Sequence, residues 1–146
     1  MFLYQLNRSQ KLAFLKLAKH VARLDDSIID ALEMEMLSMM AKEMDVTVHE
    51  VDDMDFEFSN LCSKFNDRAS KNICLMELIE VGYSNGNYHP NQAAFVSKIA
   101  KAFGFDEAHV TNLENWITSM IELFEKAENL IHKKVSYRRV VVTSLF

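Results

Sequence analysis

The stretch ICLMELIEVGYSNGNYHPNQAAFVSKIAKAFGF, residues 73–105, decides the fold. Between positions 73 and 81 only Glu77 and Glu80 interrupt a run of apolar side chains. A helix that is apolar on all sides is buried at the centre of its fold. The run stops at Ser84-Asn85-Gly86-Asn87, a dense turn signal. His89-Pro90 then opens another helix, because proline at the first helical position gives up an N–H that would have no intrahelical partner. Gln92 stands at the third position, where a side chain can reach back to the cap. The pattern continues to about Phe103, and Gly104 is a natural residue to leave the helix on.

Outward from this stretch the chain keeps a helical rhythm. Upstream, Leu12, Leu15, Leu17, Val21 and Leu24 predict a helix from about Ser9 to the polar Asp25-Asp26-Ser27. Asp30 with Glu33 reads as a capping box, and Met36, Met40 and Met44 share one face of the helix that follows. Thr47 with Glu50 is a second such box, opening an acidic segment through Glu57, and positions 59–65 could form a short helix. Asp67 caps the apolar helix. Downstream, Asp106 caps a last helix whose stripe Val110, Leu113, Trp116, Ile117, Met120, Ile121, Phe124, Ala127 and Ile131 runs to about Lys134. Residues 135–146 differ: Val140-Val141-Val142 favours extended structure, so this tail is an arm or an interaction segment.

Composition sets limits on the rest. The 146 residues are 49% apolar and 25% charged, which suits one folded domain, here 1–134 with the tail 135–146. Three glycines and one proline are too few for a chain of short strands and tight turns. The fold class expected is all-α. The net charge of −5 gives no general basic face for nucleic acid, apart from Lys133, Lys134, Arg138 and Arg139. Cys62 and Cys74 form neither a CxxC pair nor a disulfide framework. The apolar opening residues 1–6 are followed at once by Asn7 and Arg8, unlike a secretory signal, and a cytoplasmic location is expected.

Sliding the chain on itself by 59 residues aligns Ser38, Ala41, Lys42 and Val51 with Ser97, Ala100, Lys101 and Val110 as identities. Met36, Met40, Met44 and Val46 fall on Phe95, Ile99, Phe103 and Phe105, and Asp26, Asp30 and Glu33 fall on Asn85, His89 and Gln92. Each copy reads as apolar helix, polar turn, capped helix, which is what a duplicated packing unit requires. The first copy carries acids at its turn and cap, the second amides and an imidazole.

Residues 14–46, FLKLAKHVARLDDSIIDALEMEMLSMMAKEMDV, and residues 73–105 both resemble the repeat of the TerB-like (tellurite resistance) family: a helix, an Ala-Asp-Gly turn, then Pro-Glu-Glu opening the next helix. The opening MFLYQLNRSQKLAFLKLA is similar to such proteins as well, and the resemblance covers roughly residues 1–130. It implies a compact all-α bundle of about seven helices with an internal two-fold repeat. It also implies a non-enzymatic binding or scaffold role in bacterial stress or in tellurite, phage and colicin resistance, with protein partners that are in some cases membrane-associated. In one member, clustered acids bind a divalent metal. This chain departs from the pattern: Asp25-Asp26-Ser27 lacks the glycine, Asn85-Gly86 lacks the aspartate, and Gln92 replaces a glutamate.

The candidate site residues follow. Asp26, Asp30 and Glu33 could supply one half of a site for a divalent cation, Ca²⁺ or Mg²⁺, since hard cations prefer carboxylate oxygens. The alternative is that Asp30 and Glu33 cap a helix and Asp26 is solvated. Asn85, Asn87 and Gln92 could complete the site through amide oxygens, or simply build a turn. Glu77, in the most apolar helix, could ligate metal, hold a raised pKa, or pair with Arg68 or Lys71. The acidic run 50–57 could meet a basic partner such as the C-terminal end. Five methionines within 34–44 could bind soft Cu(I) or form an adaptable groove, although their spacing suits core packing. The five histidines are dispersed, and no zinc-protease, phosphate-loop, dinucleotide or nucleophile-elbow motif occurs. The remaining readings are a metal sensor or buffer, a membrane-peripheral adaptor that uses the tail, and self-association through the tail. No nucleic-acid partner is expected.

Overall fold

The computed structural model describes residues 1–26, 28–52 and 56–132. The expected C-terminal arm and two of the acids in the run 50–57, Asp53 and Asp55, lie outside these residues. The described chain is a bundle of six α-helices with no strand. They are α1 (Arg8–Ala22), α2 (Ala31–Glu43), α3 (Phe58–Ser63), α4 (Arg68–Gly82), α5 (Pro90–Ala102) and α6 (Glu107–His132). Two 3-10 turns, Leu3–Gln5 and Val48–Glu50, complete the set. The family resemblance implies about seven helices; six are found, because the acidic segment after Thr47 winds only a single 3-10 turn.

The helix starts are set by side-chain oxygens that accept the first unpaired N–H groups. Asp30 Oδ1 accepts from Glu33 N at 2.8 Å and Glu33 Oε2 accepts from Asp30 N at 2.9 Å. At the start of α5, Gln92 Oε1 accepts from His89 N at 3.0 Å and His89 Nδ1 accepts from Asn91 N at 3.0 Å. Asp67 serves α4 and Asp106 serves α6 in the same way. The start of α1 lies one residue before the expected Ser9, because Asn7 and Gln10 form a capping box of their own.

α4 is the central element. Ile73, Cys74, Leu75, Leu78, Ile79 and Val81 are all buried, and the helix packs against α1, α5 and α6 together. This is the outcome its unbroken apolar sequence requires. Met36, Met40 and Met44 are buried on one face of α2, so these thioethers fill core space.

The 59-residue shift that aligns the sequence also aligns helix ends. It carries α2 onto α5 residue for residue, and Asp30–Glu33 onto His89–Gln92. Both helices close with the same pair of bonds. Val46 N donates to Ala41 O and Asp45 N to Lys42 O, just as Phe105 N donates to Ala100 O and Gly104 N to Lys101 O. The residues at the reversal, Asp45 (φ 55°) and Gly104 (φ 88°), both adopt the left-handed conformation of a Schellman ending.

Candidate functional site

The two polar turns lie side by side. Asp25 follows α1, and Asn85 follows α4. Asn85 Nδ2 donates to Asp25 Oδ2 at 3.2 Å and faces Glu33 Oε1 at 3.4 Å. The amide cannot turn round without loss, because its Oδ1 accepts from Asn87 N at 3.2 Å. Two further amides fasten the second turn to the end of α1: Gln92 Nε2 donates to Val21 O at 3.0 Å and Asn91 Nδ2 to Leu24 O at 3.4 Å.

This junction holds Glu33 away from water, with 1% of its surface exposed. Its pKa is pushed up to about 7, chiefly by burial and then by the negative charges of Asp25, Asp30 and Asp26, against the pull of the Asp30 N–H. Of the predicted ligands, Glu33 and Asn85 are brought together, with Asp25 as a third member. Asp30 is engaged as a cap. Asp26 is exposed and accepts from Ile28 N at 3.0 Å. Asn87 is exposed, and Gln92 binds backbone. Among the described residues no group of three or more His, Cys, Asp or Glu side chains is arranged to hold a metal ion.

Glu77 belongs to a different cluster. Its Oε1 lies 3.0 Å from the α-amino group of Met1 and accepts from Phe2 N at 2.7 Å. Glu43 reaches the same ammonium at 2.7 Å and accepts from Leu3 N at 2.8 Å. The counter-charge of Glu77 is therefore the Met1 ammonium and neither Arg68 nor Lys71; Arg68 instead lies over the Phe105 ring at 5.2 Å. Glu80, one turn on from Glu77, is fully buried, with no hydrogen-bond partner for either oxygen among the described residues. Burial first, and the neighbouring Glu77 second, push its pKa well up. Burial also raises the pKa of Glu77, although the ammonium and the Phe2 N–H oppose this. Glu43 and Glu80 were not singled out from the sequence. The i, i+3 pair of acids in an apolar helix was the one available signal for Glu80.

The third feature is the outer face of α6. Of the expected stripe, Val110, Ile117, Met120 and Ile121 are buried, whereas Trp116 and Ile131 are 45% and 69% exposed; Leu123 and Leu130, which lie outside that stripe, are 64% and 85% exposed. Trp116, Ser119, Met120, Leu123 and Phe124 line a hollow of about 180 Å³. The Trp116 ring is steadied by Phe2, with centroids 6.3 Å apart. The apolar stripe expected for α6 does not include Leu123 or Leu130.

Neither thiol is set up as a nucleophile. Cys62 and Cys74 are buried, and desolvation raises both pKa values, that of Cys62 to about 11. None of the helices formed by the described residues is long and apolar enough to cross a membrane. No family model, no curated protein and no solved structure matches this chain.

Proposed function

We propose that this chain is a non-enzymatic, TerB-like binding or scaffold domain of a bacterial stress or defence system, and that α6 is its docking face. The observation that carries the reading is the exposed apolar row Trp116, Leu123 and Leu130 on one helix, whose opposite face is fully engaged in the core. An exposed, contiguous apolar patch on a folded domain marks an interaction surface. The resemblance to a two-copy TerB-like repeat is supported by the coincidence of α2 with α5 in length, cap and helix ending. A scaffold role also fits the buried polar groups, which are used to fasten turns and termini together.

The test is binding of an apolar fluorescent dye, bis-ANS, to the wild type and to the Leu123→Glu/Leu130→Glu variant. The expected result is a dye signal in the wild type that falls several-fold in the variant. An equal signal from both proteins would remove α6 as the docking face.

A further inference from the structure

Independently of the α6 face, we infer that Glu43, Glu77 and Glu80 form a receptor site for a free α-ammonium group, filled by Met1, and that blocking this amine releases the segment 1–6. One Glu43 oxygen lies 2.7 Å from the Met1 ammonium and the other accepts from Leu3 N at 2.8 Å. Glu77 Oε1 lies 3.0 Å from the same ammonium and accepts from Phe2 N at 2.7 Å. The two carboxylates thus take both the charge and the first two peptide N–H groups, which have no partner of their own at the start of a helical turn. Leu3, fully buried, is the apolar part of the same anchor. Glu80 faces Glu77, the ammonium and Glu43, and is fully buried with no hydrogen-bond partner for either oxygen among the described residues. A buried carboxyl group without a partner is costly, so packing alone does not account for it.

The internal repeat shows what the same positions hold where no amine is present. The 59-residue shift sets Leu3 and Leu6 against Cys62 and Phe65, all four buried. Segments 1–6 and 60–65 are therefore equivalent: the 3-10 turn of the first packs on α4, and α3 packs on α1. Met1 falls on Asn60, whose nitrogen is an uncharged peptide N–H in mid-chain. Glu43, Glu77 and Glu80 fall on Ala102, Ala18 and Val21. Three acids stand where the nitrogen is charged, and three apolar residues where it is not. Acylation of Met1 removes its positive charge. Glu77 then loses the partner of a buried ion pair, which costs far more than never having formed the pair. Release of the segment also withdraws Phe2 from the Trp116 ring, 6.3 Å away, so the sole tryptophan of the chain reports it.

The test compares three full chains: one with a free Met1 amine, one acetylated there, and one with Gly-Ser placed before Met1. Hydrogen exchange of the peptide 1–6 and the Trp116 emission are read in each. The expected result is exchange about tenfold faster or more in both blocked chains, with the emission shifted to the red, while α1 and α5 keep their protection. In Glu43→Ala/Glu77→Ala/Glu80→Val, which installs the residues of the other copy, blocking the amine should change the exchange by less than about twofold. Glu43→Gln, at the solvent edge of the cluster, gives the same comparison in a chain that keeps both buried acids, and the effect of blocking should fall by about half or more. Equal exchange in the free and blocked wild-type chains would overturn the site. A loss on blocking that is the same in wild type and in both variants would show that bulk rather than charge is at work, and would overturn it as well.

Discussion

Asn85 and Glu33 meet across the two polar turns, the Asn85 amide nitrogen lying 3.4 Å from Glu33 Oε1 while also donating to Asp25. The amide nitrogen of Asn85 lies between these two carboxyl groups. Asn85→Asp replaces the donor with a third negative charge. Without added ions it should destabilise the fold by about 1–3 kcal/mol at neutral pH, since two carboxylates lose their bond. Added Ca²⁺ or Mg²⁺ should restore part of this loss, and should raise the melting temperature of the variant more than that of the wild type. Equal shifts in thermal melts would show that the Asn85 amide does not stand in for a cation.

The pH dependence has a definite sign. Glu33 and Glu80 both have raised pKa values in the folded state, so the fold holds their protons more tightly than the unfolded chain does. Their contribution is complete below about pH 4.5 and is lost as pH rises, for Glu33 through about 7. The groups around Glu80 are Glu77, Glu43 and the Met1 ammonium. Glu50 and Asp67 have lowered values and act in the opposite direction, at the acid end. The melting temperature should therefore fall between pH 4.5 and 7. Glu33→Gln, which installs the side chain that position 92 already uses as a cap, should make that fall shallower. Parallel slopes for variant and wild type would place the titration elsewhere.

The two helix endings differ in one side chain. Asp45 and Gly104 make the same turn, but only Asp45 carries a Cβ in the left-handed region, at φ 55°. Asp45→Gly should stabilise by about 0.5–1 kcal/mol, because glycine adopts this conformation without the steric cost. Gly104→Ala should destabilise by about 1 kcal/mol for the converse reason. Urea unfolding of both variants checks the pair, and opposite signs are expected.

A close approach fixes Gly82. A Cβ there would fall on the Tyr88 ring, which packs on Tyr83 with centroids 4.8 Å apart. Gly82→Ala should cost about 1–3 kcal/mol as an overpacking substitution. Tyr88→Phe should cost almost nothing, because the buried Tyr88 hydroxyl has no hydrogen-bond partner among the described residues. Calorimetric melts of the two variants would show the difference directly.

Local chemistry was legible in the sequence. The caps at Asp30, Asp67, His89 and Asp106 and the exit at Gly104 depend on residues three or four apart, and each is found where the sequence puts it. The central burial of α4 follows from its composition. Contacts between distant segments were not legible. Nothing local ties Glu77 to the Met1 ammonium, a pairing across 76 positions, or sets Asn85 against Asp25. Which α6 side chains are buried depends on the packing of α6 against α4 and α5, distant segments that the helix's own pattern does not record.

As a docking face, α6 presents an outer surface that the fold itself does not need. The most direct measurement is the thermal melt of Leu123→Glu/Leu130→Glu, taken at a dilution where the wild type sediments as a single chain. The account predicts a midpoint within about 2–3 °C of wild type, the range of surface substitutions in a domain of this size. A fall of about 10 °C or more would mean that this row is packed within the chain, and would contradict a docking role for it.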